Sequence, residues 1–152
     1  MFKKEAKIMA AIVIAPLFLG LIAVHIGPKI FENSCKNQIV KSSASPDNKY
    51  EIVLFQRDCG ATTGFSTQVS VIQTGRELPG KKGNIFIADD GDTPVPLGSW
   101  GGPLVEIKWI AQDKVIIEYP KGSRVFVNEN RYKTINSTFG NGLRKRKYGL
   151  SF

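Results

Sequence analysis

Residues 49–57 read KYEIVLFQR, and this stretch decides the class of fold. Its β-branched and aromatic residues favour an extended strand over a helix. Apolar side chains fall on both of its faces, so we expect the strand to lie in the interior of a sheet. The preceding residues 45–48, SPDN, favour a tight turn, because Pro presets φ and both Asp and Asn tolerate tight geometry.

Seven further runs of strand-forming residues are separated by Gly, Pro, Asn and Asp. They cover residues 38–42, 65–74, 84–88, 104–110, 114–119, 124–127 and 131–137. Apolar and charged residues alternate in 104–110, and the Gln112-Asp113 pair that follows predicts a hairpin with 114–119. The pattern predicts an all-β fold, a single antiparallel β-sandwich or open barrel of about seven or eight short strands.

The N-terminal part of the chain has a different composition. Residues 8–27, IMAAIVIAPLFLGLIAVHIG, contain no Lys, Arg, Asp or Glu. A helix of this length spans roughly 30 Å, the thickness of a bilayer core, so we expect one transmembrane helix that acts as a signal anchor. Three lysines in residues 1–7 favour a cytoplasmic N-terminus, which leaves residues 28–143 as an extracytoplasmic β domain. A cleaved signal peptide is the alternative, although its apolar run is normally shorter.

Two cysteines, Cys35 and Cys59, lie in the part of the chain that is expected to be exported. An even number of cysteines in an oxidising compartment favours a structural disulfide. Such a bridge contributes roughly 3–4 kcal/mol to the free energy of unfolding in the chain-entropy description. The alternative is a reactive thiol, which needs a neighbouring base or a closely spaced second cysteine. The single histidine, His25, falls in the apolar segment, so we favour the disulfide.

The net charge of +8 is unevenly distributed. Residues 1–30 carry +3, residues 31–143 carry 13 Lys or Arg against 12 Asp or Glu, and residues 144–152 carry +4. A nearly neutral body argues against specific nucleic-acid binding, which usually needs a basic patch. The four charges of the basic tail are Arg144, Lys145, Arg146 and Lys147. We expect a solvated C-terminus there; attraction to anionic lipid headgroups or envelope polymers is the alternative.

Two segments between predicted strands are irregular and could bind a ligand. Residues 58–64, DCGATTG, are rich in small and hydroxyl side chains, and residues 89–103 contain three Pro, four Gly and one Trp. Long loops in compact domains often carry function. The candidate binding residues are Asp58, Thr62, Thr63 and Trp100. Trp100 is either an exposed aromatic anchor or a lid that folds back over one end of the domain.

The residue types of the body limit its chemistry. A Ser–His–Asp or Cys–His mechanism lacks its histidine, and a zinc site lacks its ligands, so we expect no catalytic residues and no cofactor. Asp89, Asp90 and Asp92 form a weak candidate for a Ca²⁺ site through oxygen ligands. Their spacing does not match an EF-hand loop, and acidic residues of a surface turn are the alternative explanation.

Three stretches carry a resemblance to a known type of protein: residues 45–72, SPDNKYEIVLFQRDCGATTGFSTQVSVI, residues 83–90, GNIFIADD, and residues 100–109, WGGPLVEIKW. They resemble a family of small uncharacterised bacterial envelope proteins that join an anchor or lipoprotein signal to a short β domain of unknown function. The resemblance covers about residues 35–127 and implies a bacterial source and an extracytoplasmic domain. It implies no activity, and this chain has no lipobox.

Together these features predict a single-pass protein of the cytoplasmic (inner) membrane. We expect its N-terminus inside and a non-catalytic binding or accessory β domain facing the periplasm or the cell exterior, with an envelope protein or polymer as partner. One alternative is an immunity-type protein that blocks a toxin in the envelope. Another is a small carboxylate-dependent hydrolase. The oligomeric state does not follow from the sequence.

Overall fold

A computed structural model of the 152-residue chain describes residues 14–16, 20, 35–60 and 64–143. The chain divides into two compact units, Met1–Ser34 and Cys35–Phe152. Of the predicted membrane segment, residues 8–27, the described part is Ile14–Pro16 and Gly20, all helical. The rest of that segment, residues 1–7 and the basic tail from Arg144 to Lys147 lie outside the described residues. Within the described ranges no helix is long and apolar enough to cross a membrane.

The second unit is built from β-strands, as predicted. Nine strands are described: β1 (Lys36–Ala44), β2 (Tyr50–Asp58), β3 (Ser66–Gln73), β4 (Phe86–Asp89), β5 (Glu106–Ala111), β6 (Lys114–Glu118), β7 (Arg124–Asn128), β8 (Arg131–Tyr132) and β9 (Ile135–Gly140). They form a five-stranded sheet in the order β1-β2-β3-β4-β7 and a four-stranded sheet in the order β5-β6-β9-β8.

Strand β2, which contains most of KYEIVLFQR, is confirmed as an interior strand between β1 and β3. Residues 52–57 are all buried. Because alternate side chains point to opposite faces, Ile52 and Leu54 join the core between the sheets while Phe55 and Arg57 point to the other face. Burial on both sides explains why this strand shows no alternation of apolar and polar residues.

Two expectations about the strands are wrong. The sheets are not wholly antiparallel, because β6 and β9 pair in parallel, with Val115 opposite Ser137. The chain leaves β6 for β7 in the other sheet before it returns, which gives it the length that a parallel crossover needs. The predicted run 131–137 is also two strands, so the count is nine: Lys133, with φ of 54°, turns the chain between β8 and β9.

Both sheets contribute to one hydrophobic core. Ile52, Leu54 and Val69 come from the five-stranded sheet, and Ile107 and Ile117 come from the other. The predicted hairpin of residues 104–119 is confirmed, since β5 pairs antiparallel with β6. A half-buried link between the sheets adds to the packing: Trp109 Nε1 donates a hydrogen bond of 2.8 Å to the Ser43 carbonyl.

The β1–β2 pair is closed at both ends. At one end Cys35 and Cys59 form the predicted disulfide, next to the opposed pair Lys36 and Asp58. We call this the disulfide end of the domain. At the other end, the turn end, residues 45–48 form the predicted turn: Asn48 N–H donates to the Ser45 carbonyl at 2.8 Å, and Asn48 adopts a φ of 58°.

Asp47 organises the turn end. Ser45 Oγ donates a hydrogen bond of 2.6 Å to Asp47 Oδ1, and Tyr50 N–H donates to the same Ser45 Oγ at 3.1 Å. The Ser45 hydroxyl, followed by the Lys49 backbone N–H and the Lys49 side chain, holds the pKa of Asp47 below its usual value, while desolvation opposes the shift. The carboxylate is therefore part of the turn as well as of the surface.

Candidate functional site

Part of the 89–103 loop, which was predicted to bind a ligand, lies at the disulfide end. Residues 101–103 pack on Phe65 and on the first residues of β3. Thr67 Oγ1 donates a hydrogen bond of 2.7 Å to the Pro103 carbonyl, and a Cβ on Gly102 would lie 2.5 Å from that same Oγ1. The backbones approach so closely only because Gly102 has no side chain.

Trp100 folds back onto the domain, which is the lid arrangement. Its Nε1 donates a hydrogen bond of 2.8 Å to Thr67 Oγ1, and its half-buried ring packs against the core. A Cβ at Gly98 would overlap the ring. The indole therefore fills a space inside its own loop, and Gly98 N–H closes that loop by donating to the Gly102 carbonyl at 2.9 Å.

The other candidates of the 58–64 loop are only partly described. Asp58 ends β2, and its Oδ1 accepts a hydrogen bond of 2.8 Å from Gly60 N–H. Thr62 and Thr63 lie outside the described residues. Asp58 thus orders the first turn of its own loop.

In the acidic cluster, the carboxylate of Asp89 is occupied by an arginine side chain. Asp89 binds Arg124 through two hydrogen bonds, of 2.9 Å from Nε and 2.6 Å from Nη2, and also accepts from Gly91 N–H at 2.9 Å. Asp89 raises the pKa of Arg124, first through these hydrogen bonds and then through its charge, with smaller contributions from Asp92 and Asp90. No group of three metal-binding side chains occurs among the residues that the structure describes. Surface acidic residues, the alternative explanation, fit this arrangement.

A groove on another part of the domain is the better candidate site. It has a cavity volume of about 410 Å³, within the range of small-molecule sites. It opens where Tyr50 at the start of β2 pairs with Gln73 at the end of β3, which is the turn end. The residues that matter for its chemistry are Tyr50, Arg76, Glu77, Lys81, Lys82, Tyr132 and Lys133. We call it the basic groove.

The charge of the basic groove is strongly positive. Arg76, Lys81, Lys82 and Lys133 face a single carboxylate, Glu77, and all five side chains are exposed. The ion pairs found between described residues are Lys49–Asp47 and Arg124–Asp89, so none of these four cations forms an ion pair with a described carboxylate. The groove therefore presents a net positive field to solvent, although the body as a whole is nearly neutral.

One wall of the groove is the connection between β3 and β4, residues 74–85, which we call the basic connection. Asn37 and Arg57, opposed on β1 and β2, hold it from the outer face of the sheet. Asn37 Nδ2 donates to the carbonyls of Pro79 at 3.0 Å and Lys81 at 2.8 Å. Arg57 Nη1 donates to the Gly80 carbonyl at 3.2 Å and to Asn37 Oδ1 at 2.7 Å. Three successive carbonyls are fixed in this way, just before Lys82.

The C-terminal end of the basic connection is fixed by the side-chain amide of Asn84, which bonds to the backbone of β3 as a neighbouring strand would. Asn84 Oδ1 accepts from Val71 N–H and its Nδ2 donates to the Val71 carbonyl, both at 2.9 Å. Gly83 N–H donates to Gln68 Oε1 at 2.7 Å. Because β4 pairs only with residues 67–69 of β3, the Asn84 side chain completes the edge of β3 beside the groove.

The opposite wall is the turn between β8 and β9. Lys133 holds a left-handed backbone conformation with φ of 54°, and its carbonyl accepts a hydrogen bond of 3.1 Å from Arg131 Nε. The ammonium of Lys133 lies 5.7 Å from the centroid of the Tyr132 ring. Tyr50 and Tyr132 are half-buried and pack against the core, so the floor between the walls is aromatic.

Comparison of the sequence with known protein families gives a match. A family model described as a family of unknown function, DUF5412, matches residues 3–94, more than half of the chain. This chain belongs to the DUF5412 family. No curated protein and no solved structure matches it significantly. The expected membership of a family without a known activity is confirmed.

The DUF5412 match includes the basic connection and β1 to β4, but it ends before Tyr132 and Lys133. One wall of the groove therefore belongs to the part that the DUF5412 family defines. The groove combines a guanidinium, three ammonium groups and two phenols, which suits the binding of an oxyanion through charge-assisted hydrogen bonds.

The sequence interpretation missed this DUF5412 groove. Residues 75–83, GRELPGKKG, join two predicted strands and hold three of the four cations. Their charge disappears in the nearly neutral sum over residues 31–143. The local signal was the presence of three basic residues in a short segment that also contains Gly and Pro. Its pairing with Lys133 depends on how the two sheets meet, which no sequence pattern specifies.

Proposed function

We propose that this protein is a non-catalytic binding protein of the bacterial envelope whose basic groove holds an anionic ligand. Residues 8–27 anchor it in the cytoplasmic membrane, and the β domain faces the periplasm or the cell exterior. The observation that carries the proposal is the groove itself: four exposed cations around a cavity of about 410 Å³.

The geometry of the groove favours binding of an anion. Both walls are held in place before any ligand arrives, one by Asn37 and Arg57 and the other by the turn at Lys133. A preorganised site loses less conformational entropy on binding. Glu77 is the one carboxylate among the described lining residues, so the groups present serve charge recognition more directly than acid–base chemistry.

Two features support the location. The Cys35–Cys59 disulfide is typical of proteins in oxidising compartments. The DUF5412 family model begins at residue 3, so it includes the apolar segment 8–27 together with the first sheet strands. One family model thus covers both the apolar segment and the first half of the β domain.

The binding proposal is tested with the full chain in neutral detergent and fluorescent dextran sulfate as the anionic probe. The groove variant is Lys81→Glu with Lys82→Glu. The matched control is Lys108→Glu with Lys114→Glu, two exposed lysines of the four-stranded sheet outside the groove. We expect at least a tenfold loss of affinity in the groove variant and little change in the control. Equal losses in both variants would show that only net charge matters, and the groove assignment would fail.

The location is tested in intact spheroplasts that express the full chain. We expect added protease to remove the β domain while a tag placed before residue 1 stays protected. Protection of the β domain until the membrane is opened would reject the extracytoplasmic assignment.

A further inference from the structure

We infer that the ligand of the basic groove is a chain-like polyanion, with several phosphate or carboxylate groups in a row and no aromatic bases. This inference rests on the proposed function and narrows it from any anion to one class. It follows from the placement of the cations, their exposure to solvent and the packing of the two tyrosines that line the groove.

The cations come from two separate elements. Arg76, Lys81 and Lys82 lie on the basic connection, whereas Lys133 lies on the turn between β8 and β9. The cavity of about 410 Å³ is more than ten times the roughly 30 Å³ that one water occupies in the liquid. A single small oxyanion would leave most of that space to water and would satisfy only part of the charge. A ligand with several anionic groups can reach both walls at once.

The exposure of the cations points in the same direction. Lys81, Lys82 and Lys133 are solvent-exposed, and a single ion pair at such a site contributes little because water and salt screen it. Useful affinity then requires several contacts made by one molecule, since every contact after the first is intramolecular. A repeating anion meets this requirement and a monomeric one does not.

The tyrosines distinguish the class of polyanion. Single-stranded nucleic acids bind through bases that stack on open aromatic faces. The Tyr132 ring already has the Lys133 ammonium 5.7 Å from its centroid, and both Tyr132 and Tyr50 are half-buried against the core. The phenols offer hydroxyl groups for hydrogen bonds more readily than free faces for stacking. This favours a backbone of phosphates or sugar acids.

The test uses the full chain in neutral detergent and a series of probes: orthophosphate, tripolyphosphate, long-chain inorganic polyphosphate and polygalacturonate. We expect affinity per phosphate to rise at least tenfold from orthophosphate to tripolyphosphate and again to the long chain. Preference between polyphosphate and polygalacturonate identifies which oxyanion the groove takes. A single-stranded oligonucleotide of matched charge should bind at least fivefold more weakly than polyphosphate.

Variants on each wall show whether one chain contacts both. Lys82→Gln removes a charge from the basic connection, and Lys133→Asn removes one from the other wall with a residue that tolerates φ of 54°. Each should lower polyphosphate affinity at least fivefold and reduce by about one the slope of log affinity against log salt. Lys108→Gln is the control and should change neither.

The outcomes separate the two proposals. Orthophosphate that binds as tightly as polyphosphate, or polyphosphate affinity unaffected by Lys133→Asn, would overturn the chain-like ligand and leave the anion-binding groove in place. Equal or tighter binding of the oligonucleotide would overturn the class of ligand. If the wild-type protein bound none of the probes, dextran sulfate included, the proposed function itself would be rejected.

Discussion

The loops of the disulfide end and the basic groove differ in what they do with their polar groups. At the disulfide end Trp100, Thr67 and Pro103 bind one another, and Asp89 binds Arg124. In the groove Lys81 and Lys133 pair with no described carboxylate. Trp, Gly and Asp residues that look functional in a sequence can instead serve the packing and hydrogen bonding of their own loop. A binding site is better recognised by groups that the fold positions but leaves open to solvent.

The disulfide should make the largest contribution to stability. Replacing Cys35 and Cys59 with Ser removes a link across 24 residues, and we expect the free energy of unfolding to fall by about 3–4 kcal/mol. Denaturant unfolding of the purified full chain, followed by tyrosine and tryptophan fluorescence, measures this. A loss below about 1 kcal/mol would mean that the core alone holds this end of the domain.

Replacing Trp100 sharpens the comparison. The lid arrangement predicts a loss of stability, whereas a role as a binding anchor predicts a loss of affinity. In Trp100→Ala the ring no longer fills its loop and Thr67 loses one partner, so we expect the free energy of unfolding to fall by about 2–3 kcal/mol. Binding of dextran sulfate at low temperature should stay within twofold of the wild type. The exposed, neighbouring Ser99→Ala is the control. A binding defect with unchanged stability would restore the anchor interpretation.

Asn37 links the two regions, since it lies two residues from Cys35 yet holds the basic connection. Asn37→Ala removes two donated hydrogen bonds and the acceptor for Arg57, and should cost about 1–2 kcal/mol of stability. No groove charge is lost, but the wall becomes less ordered, so we expect about threefold weaker binding of dextran sulfate. Gln38→Ala, an exposed neighbour on β1, is the matched control. Unchanged affinity would show that the connection keeps its shape without this support.

The smallest effect should come from Asp47 at the turn end. Its pKa is lowered in the folded state, chiefly by the Ser45 hydroxyl, so its stabilising contribution is present above the unfolded pKa and is lost as pH falls through the folded value. The melting temperature should therefore decline slightly more below about pH 4 in the wild type than in Asp47→Asn. Parallel curves between pH 3 and pH 6 would count against a role for this carboxylate in the turn.

The strands were largely predictable because local sequence determines them. The β-branched run of residues 50–58 and the turn at Ser45 could be recognised from residue type alone. The parallel pairing of β6 with β9 could not, because it joins residues that are far apart in sequence through contacts between whole sheets. The groove was hidden for the same reason, since Lys82 and Lys133 line one cavity only after both sheets have formed. The disulfide was predictable because the described domain has only two cysteines to pair.

The position of β9 has a consequence for the order in which the domain can be completed. This strand lies between β6 and β8, and it brings Ile135 into the core and Phe139 against the buried Phe86. Because a chain is synthesised from its N-terminus, residues 135–140 follow every other strand that the structure describes. Until they arrive, one edge of β6 stays unpaired and can join a strand of another molecule. Chains cut short before residue 135 should therefore aggregate rather than accumulate as a smaller folded domain.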